Sequence, residues 1–269
     1  MHMDIQLAII CGLTFVIHLI GTLAYAVRIA GVRTRRIAMS FALFNILVLV
    51  SRTSNSFQGP FLAKRIEDNI NHGINQGLLT DFRWLLLSAT LATVVGAFLI
   101  PTFQRIFSNA VQHFQQHRSM ARLLLHGFFK GGISQLKEVV AMPAAANLRK
   151  LKMGHGISVW VIFLNIAAVA LWTIGVFASL YAGYLKPELR VTSSQLSAVV
   201  NGAATIMMFV FIDPNMSVMT DDVVEGKITE PQFRKAIVWL VGSRLVGTLL
   251  AQVLLIPAAM TIVAVAEIM

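Results

Sequence analysis

The chain has 269 residues, of which 57% are hydrophobic and only 13% charged, with a mean hydropathy of +0.73 and a net charge of +10. A soluble domain draws about a quarter of its residues from Asp, Glu, Lys and Arg, so this composition excludes a water-soluble globular protein and puts the chain in a bilayer. The single cysteine, Cys11, excludes a disulfide framework and a cysteine-based metal site, and the basic excess points to anionic membrane lipids rather than to nucleic acid.

A hydrocarbon core about 30 Å thick takes about 20 apolar residues in a helix. Six segments fit that length, approximately 5–27, 37–58, 84–106, 157–184, 196–212 and 237–266. They predict an all-α integral membrane protein made of a single polytopic domain. The first segment has no basic n-region and no small-residue cleavage site, so it reads as a span and not as a signal peptide. It carries Thr14, His18, Gly21, Thr22, Tyr25 and Arg28 at steps of three or four, one stripe of one helix. Such a stripe faces other helices or a wet cavity, since a helix surrounded by lipid has no use for it. His18 has two readings, a hydrogen-bonded packing residue or a ligand of that cavity.

The second segment gives only 14 mainly apolar residues, 37–50, before the polar run Ser51-Arg52-Thr53-Ser54-Asn55-Ser56-Phe57-Gln58-Gly59-Pro60. The fifth is interrupted by Asn201-Gly202 and ends at Asp213-Pro214-Asn215. Paired short or interrupted helices at corresponding positions of two halves mark a transporter's substrate site, because unwound backbone survives only where it lines a cavity. The competing reading is that both helices simply end early. The fourth segment adds Asn165, Trp172, Thr173 and Ser179. On the sixth, Arg244, Thr248 and Gln252 recur at i, i+4 and i+8. An arginine at membrane depth is a functional-site hypothesis by default; the alternative is that Arg244 snorkels toward the cytoplasmic side, and Asp213 is its potential counter-charge.

Loop charge sets the orientation. Arg28, Arg33, Arg35 and Arg36 in the first loop, eight basic residues between Arg105 and Lys152 around the third, and Lys227, Arg234 and Lys235 in the fifth put fifteen on one side. Six, namely Arg52, Lys64, Arg65, Arg83, Lys186 and Arg190, fall on the other. The expectation is that both termini lie outside and the basic loop 107–156 lies in the cytoplasm. Within that loop Val111, Phe114, Met120, Leu123, Leu124, Phe128 and Phe129 alternate with His and basic residues at roughly helical spacing, predicting interfacial helices, with a small soluble hairpin packed on the bundle as the alternative.

Asp81-Phe82-Arg83 opens the third segment and Gln232-Phe233-Arg234 the sixth. The two segments close on Phe98-Leu99-Ile100-Pro101 and Leu254-Leu255-Ile256-Pro257. This echo suggests two inverted three-helix repeats. Enzyme motifs are thin. Asp221, Asp222 and Glu225 form an acidic cluster without a partner cluster or a phosphate-cradling glycine loop, and it reads as a solvated face. No cofactor or metal ligand set stands out, and catalytic residues are expected to be none.

The run from Ser51 to Pro60 after a short second helix resembles the Amj family of lipid II flippases ("alternate to MurJ"). So do the six-helix layout and the opening Ile9-Ile10-Cys11-Gly12-Leu13-Thr14-Phe15-Val16-Ile17-His18-Leu19-Ile20-Gly21-Thr22. The resemblance implies a transporter and not an enzyme, residing in a bacterial plasma membrane. It would move the undecaprenyl-pyrophosphate-linked peptidoglycan precursor, lipid II, from the inner to the outer leaflet for cell wall synthesis and cell shape. Arg28, Arg52, Arg83 and Arg244 are then candidate diphosphate ligands, because guanidinium forks match phosphate oxygens. Asn45, Asn55, Asn165 and Asn201 are candidate hydrogen-bonders to sugar or peptide, with Asp213 and His18 in the same polar set. Gly242 and Gly247 would let helices rock. Two other classes stay open. One is a membrane enzyme using Asp213, Asp221 and Asp222 on a lipid phosphate. The other is a channel or ion-coupled small-molecule transporter. Homo-oligomerisation is open as well.

Overall fold

A computed structural model describes residues 4–73, 77–117, 140–141 and 157–269. The chain forms an all-α membrane protein with six helices long and apolar enough to cross a bilayer. They are α1 (Ile5–Thr34), α2 (Ile37–Asn71), α3 (Leu78–His117), α4 (Val159–Leu185), a composite fifth span (Pro187–Val224), and α8 (Glu230–Ile268). The fifth span consists of a 3₁₀ turn Pro187–Leu189, α5 (Arg190–Gln195), α6 (Ser197–Ile206), a π-helical turn Met207–Ile212 and α7 (Asp213–Val224).

The helices overrun the apolar runs that predict them. With 35 residues, α2 is about 52 Å long against a hydrocarbon core of about 30 Å. Backbone hydrogen bonding carries it on through polar sequence. Arg28 and Arg33 accordingly sit inside α1, and the first loop shrinks to Arg35 and Arg36, with Arg35 in the left-handed region at φ 53°. In the long third loop, α3 takes the residues up to His117, so Val111 and Phe114 belong to a membrane helix and not to an interfacial one. The interfacial helices expected from Met120 through Phe129 lie outside the described residues.

The expected breaks also resolve differently. Gly59-Pro60 does not interrupt α2. The proline removes one backbone donor, and the turns before it are tightened by Thr53 Oγ1 donating to the Leu49 carbonyl (2.9 Å) and Ser56 Oγ to that of Arg52 (3.0 Å). Side-chain hydroxyls of this kind let membrane helices tolerate proline. Asn201-Gly202 lies within α6 and ends nothing. The real irregularity of the fifth span comes just ahead of Pro214. A proline ring clashes with the carbonyl four residues earlier, and the wider π turn at Met207–Ile212 absorbs that mismatch. Asn215 Nδ2 donates to the Phe211 carbonyl at 2.7 Å, covering an acceptor there.

Two tight pairs make the scaffold. α1 runs along α3, with Gly96 so close to Thr22 that a Cβ would meet that side chain at 2.7 Å. α4 runs along α8, with Gly247 set 2.8 Å (as a notional Cβ) from the Ile166 carbonyl. Gly242, by contrast, faces open space. α2 packs mainly on α1 and the fifth span mainly on α4.

Apolar side chains collect at the two ends of the bundle. At the end bearing Asp4, Leu7 and Ile10 pack with Leu62, Ile66, Phe82, Phe177 and Leu255, and the Phe82 ring meets Tyr181 edge-on at 5.3 Å. At the end bearing Arg35, Ala26 and Ile29 pack with Val161, Met216, Phe233 and Leu240. Between them the buried side chains turn polar: Thr14, His18, Thr22, Gln58, Asn165, Thr173, Arg244 and Thr248. The stripe on α1 is one wall of this band.

Candidate functional site

Within the polar band lies a cavity of about 220 Å³ lined from four spans. α1 contributes Ile17 and His18; α2 contributes Arg52, Asn55 and Gln58; α4 contributes Trp172, Thr173, Val176 and Phe177; α6 contributes Asn201, Gly202 and Thr205. Helical spacing explains the selection. Residues 52, 55 and 58 step by three, as do 173 and 176, so each set shares one face. Of the predicted site residues, His18, Arg52, Asn55 and Asn201 come together here.

Among the described residues Arg52 is the only charged one on the lining, and no carboxylate accompanies it. It makes no ion pair with any described residue, although it is 15 residues into α2, roughly 22 Å along the axis. It therefore belongs to the middle of a long helix and not to its mouth-facing end, as its position after the apolar run suggests. Gln58 is fixed by donating Nε2 to Thr14 Oγ1 at 2.6 Å, a buried α1–α2 hydrogen bond. The opposite wall is pinned by Gly175, where a Cβ would lie 2.1 Å from Asn201 Oδ1, so only glycine admits that side chain between α4 and α6. Asn201 Oδ1 and His18 Nδ1 are buried without a hydrogen-bond partner among the described residues. Buried polar atoms are normally paired, and both residues line the cavity, so a ligand with hydroxyl or phosphoryl groups suits them.

The other predicted site residues lie elsewhere. Asp213 does not pair with Arg244; it accepts from Arg28 Nη2 at 2.7 Å, and the Arg28 guanidinium also sits 5.2 Å above the Phe41 ring. Sequence distance hides this, because α1 extends further than its apolar run and carries Arg28 level with the start of α7. Arg83 is engaged by Gln252, donating to both its carbonyl and its side-chain oxygen, while Gln252 Nε2 donates back to the Arg83 carbonyl at 3.1 Å. Asn165 clamps α4 to α8 by donating to the Leu240 carbonyl (3.1 Å) and Ser243 Oγ (2.7 Å). Asn45 is exposed on α2, away from the cavity. Arg244 is buried, donating Nε to Thr22 Oγ1 at 3.1 Å. Trp172 and Thr173, singled out on the fourth segment, do line the cavity, whereas sequence reasoning misses Thr205 as a lining residue and Gly175 as the notch for Asn201. A glycine facing an asparagine across two helices leaves no signal in either segment alone.

Two members of the acidic cluster, Asp222 and Glu225, face one lysine. Lys227 Nζ lies 2.6 Å from Glu225 and 3.6 Å from Asp222. Asp213 stands eight residues before Asp221 on α7, about 12 Å along the axis, too far to share an ion with it.

The family described as "Alternate to MurJ", Amj, matches residues 13–266. The chain belongs to the Amj family. It is 37% identical over 256 residues to the lipid II flippase Amj of Bacillus subtilis (strain 168), covering 94% of this chain and 93% of that one. No solved structure matches. With its six apolar spans, this member of the Amj family is a multi-pass protein of a bacterial plasma membrane.

Proposed function

We propose that this protein carries lipid II across the plasma membrane, from the inner to the outer leaflet, with the mid-membrane cavity as the station of its diphosphate. The observation that supports this most directly is Arg52, a guanidinium without an ion-pair partner among the described residues, about halfway along a membrane helix, on a cavity whose other described polar liners are uncharged. Arginine offers phosphate a bidentate fork. Asn55, Gln58, Asn201 and Thr205 offer neutral donors and acceptors suited to sugar hydroxyls. The family membership, and the name of the Bacillus subtilis relative, supply the cargo.

Cavity size narrows the reading. Pockets that enclose drug-sized ligands measure roughly 300–1,000 Å³, so about 220 Å³ holds a diphosphate and part of one sugar, not a whole sugar–peptide headgroup. The rest of the headgroup travels outside the cavity, and the polyprenyl tail stays in lipid. α2 and the fifth span, each packed chiefly on one scaffold helix, are the walls that separate to let it pass. The similar roles of α2 and the fifth span, and of the α1–α3 and α4–α8 pairs, support two inverted three-helix halves. Orientation follows from loop charge, with the Arg35 end cytoplasmic.

Purified protein in liposomes should expose fluorescent lipid II to an impermeant quencher on the opposite side, at a rate proportional to protein. Ion flux without any lipid substrate, together with no lipid II movement, would favour the ion-transporter reading instead.

A further inference from the structure

Arg244 is the one cation of the polar band left out of the arrangement above. It is 8% exposed and pairs with no carboxylate among the described residues; Thr22 Oγ1 accepts its Nε. A guanidinium has five N–H donors, and a buried charge without a counter-ion is costly. Its position is nevertheless built for it. Gly21 of α1 lies directly beneath, where an added Cβ would sit 2.5 Å from Nη2 and 3.2 Å from Cζ, so a side chain there would evict the guanidinium.

Three relations tie this recess to the cavity. Arg244 is within electrostatic reach of His18, which lines the cavity and whose Nδ1 is buried and unpartnered. His18 and Gly21 are one turn apart on the same face of α1. Arg52 and Arg244 also share a level. α2 and α8 both start at the Arg35 end, α8 being held there by Arg33–Glu230 at 2.8 Å. Arg52 is 15 residues from the start of its helix and Arg244 is 14 from the start of its own, about 21–23 Å along each axis.

We propose that Arg244, with Thr22 and His18, forms a second phosphoryl subsite beside the one at Arg52, so that the pair of arginines reads a diphosphate and discriminates against a monophosphate. This rests on the lipid-diphosphate reading of the cavity. One phosphoryl group meets Arg52, and the other meets the inward guanidinium with His18 as a further donor. A lipid monophosphate engages only one of the two.

The test uses full-length protein in lipid nanodiscs titrated with lipid II, undecaprenyl diphosphate and undecaprenyl monophosphate. Wild type should bind the diphosphate about tenfold or more tightly than the monophosphate, the scale of one charge-assisted hydrogen bond. Arg244→Lys and Gly21→Ala should both collapse that ratio towards one. Gly21→Ala keeps every charge and displaces only the guanidinium, so agreement between the two excludes a general loss of charge as the cause. An undiminished ratio in either well-folded variant would overturn the subsite, and so would a wild type that binds both lipids equally. Those outcomes leave lipid II binding intact. A wild type that binds none of the three lipids would sink the flippase reading, and the subsite with it.

Discussion

Arg28 on α1 and Asp213 at the head of α7 meet at 2.7 Å, while the same guanidinium covers the Phe41 ring of α2 at 5.2 Å. One side chain thus ties α1 to both separable walls at the Arg35 end. At the Asp4 end, Arg65 of α2 bonds Asp81 (2.8 Å) and Asp4 (2.7 Å), and Arg190 lies 3.7 Å from Glu67. The Asp4 carboxylate, at the N-cap of α1, is held below its ordinary pKa by the Leu7 backbone N–H and by Arg65. The cavity therefore sits between two sets of ionic clasps.

Breaking the Arg28–Asp213 clasp should loosen this end. Arg28 is only 13% exposed, so losing its counter-charge matters more than at a surface pair. Asp213→Asn should cost about 1.5–3 kcal/mol in thermal or denaturant unfolding in detergent, the range for hydrogen bonds to charged groups. The exchanged variant, Arg28→Asp with Asp213→Arg, should recover part of that loss. Equal destabilisation by the exchange and by either single change would rule out a specific pairing.

Arg52 separates charge from geometry. Arg52→Lys keeps the charge and loses the fork, so lipid II binding should weaken by roughly ten-fold or more, and Arg52→Ala should be worse. At equal protein levels in the membrane, unchanged binding and flipping in the lysine variant would remove Arg52 from the diphosphate site.

Asn165 makes the opposite forecast. Its hydrogen bonds go to Leu240 and Ser243, so it holds α4 to α8 and does not face the cavity. Interhelical hydrogen bonds in membranes average about 0.6 kcal/mol and reach about 1.7. Asn165→Leu should therefore lower stability by about 1 kcal/mol and leave lipid II affinity within about twofold. A large loss of affinity in a protein of unaltered melting temperature would return Asn165 to the substrate.

What the sequence disclosed follows from which signals are local. Six apolar runs identify six spans because each run is contiguous. The stripe from Thr14 to Arg28 identifies the inward face of α1 because it obeys one helical period. Arg52, Asn55, Asn201 and His18 are named from the sequence as polar residues at membrane depth, but the same signal also names Arg28, Arg83, Asn45, Asn165, Asp213 and Arg244, which lie off this cavity. Helix ends are not legible, because hydrogen bonding outlasts hydropathy, and that alone hides the partnership of Arg28 with Asp213. Gly59-Pro60 misleads because α2 continues through the proline, as membrane helices can. Pro214 is accommodated by a π turn that no composition announces. The Gly175–Asn201 and Gly21–Arg244 fits are pairings between distant segments, invisible until the helices are assembled.

Glu67 and Arg190 supply the last prediction, because they bridge α2 and the fifth span at the Asp4 end. If those walls must part for the headgroup to leave, joining them there should stop transport. Both side chains are long and their charged ends lie 3.7 Å apart, so a linker that spans two extended side chains suits this pair better than a disulfide, which holds its Cα atoms about 4.4–6.8 Å apart. A cleavable bifunctional thiol reagent reaching about twice that distance is the suitable linker. The background should be Cys11→Ala, which removes the only native thiol, with Glu67→Cys and Arg190→Cys introduced together. In the orientation proposed above this end lies outside, so an impermeant form of the linker should react in intact cells. Flipping of lipid II in liposomes should then fall with the fraction of protein cross-linked and return when the linker is cleaved. The same reagent on either single-cysteine protein should leave flipping unchanged, which controls for the loss of the ion pair itself. Full activity at near-complete cross-linking would mean that α2 and the fifth span do not separate at this end. Reaction only after the membrane is permeabilised would invert the assigned orientation.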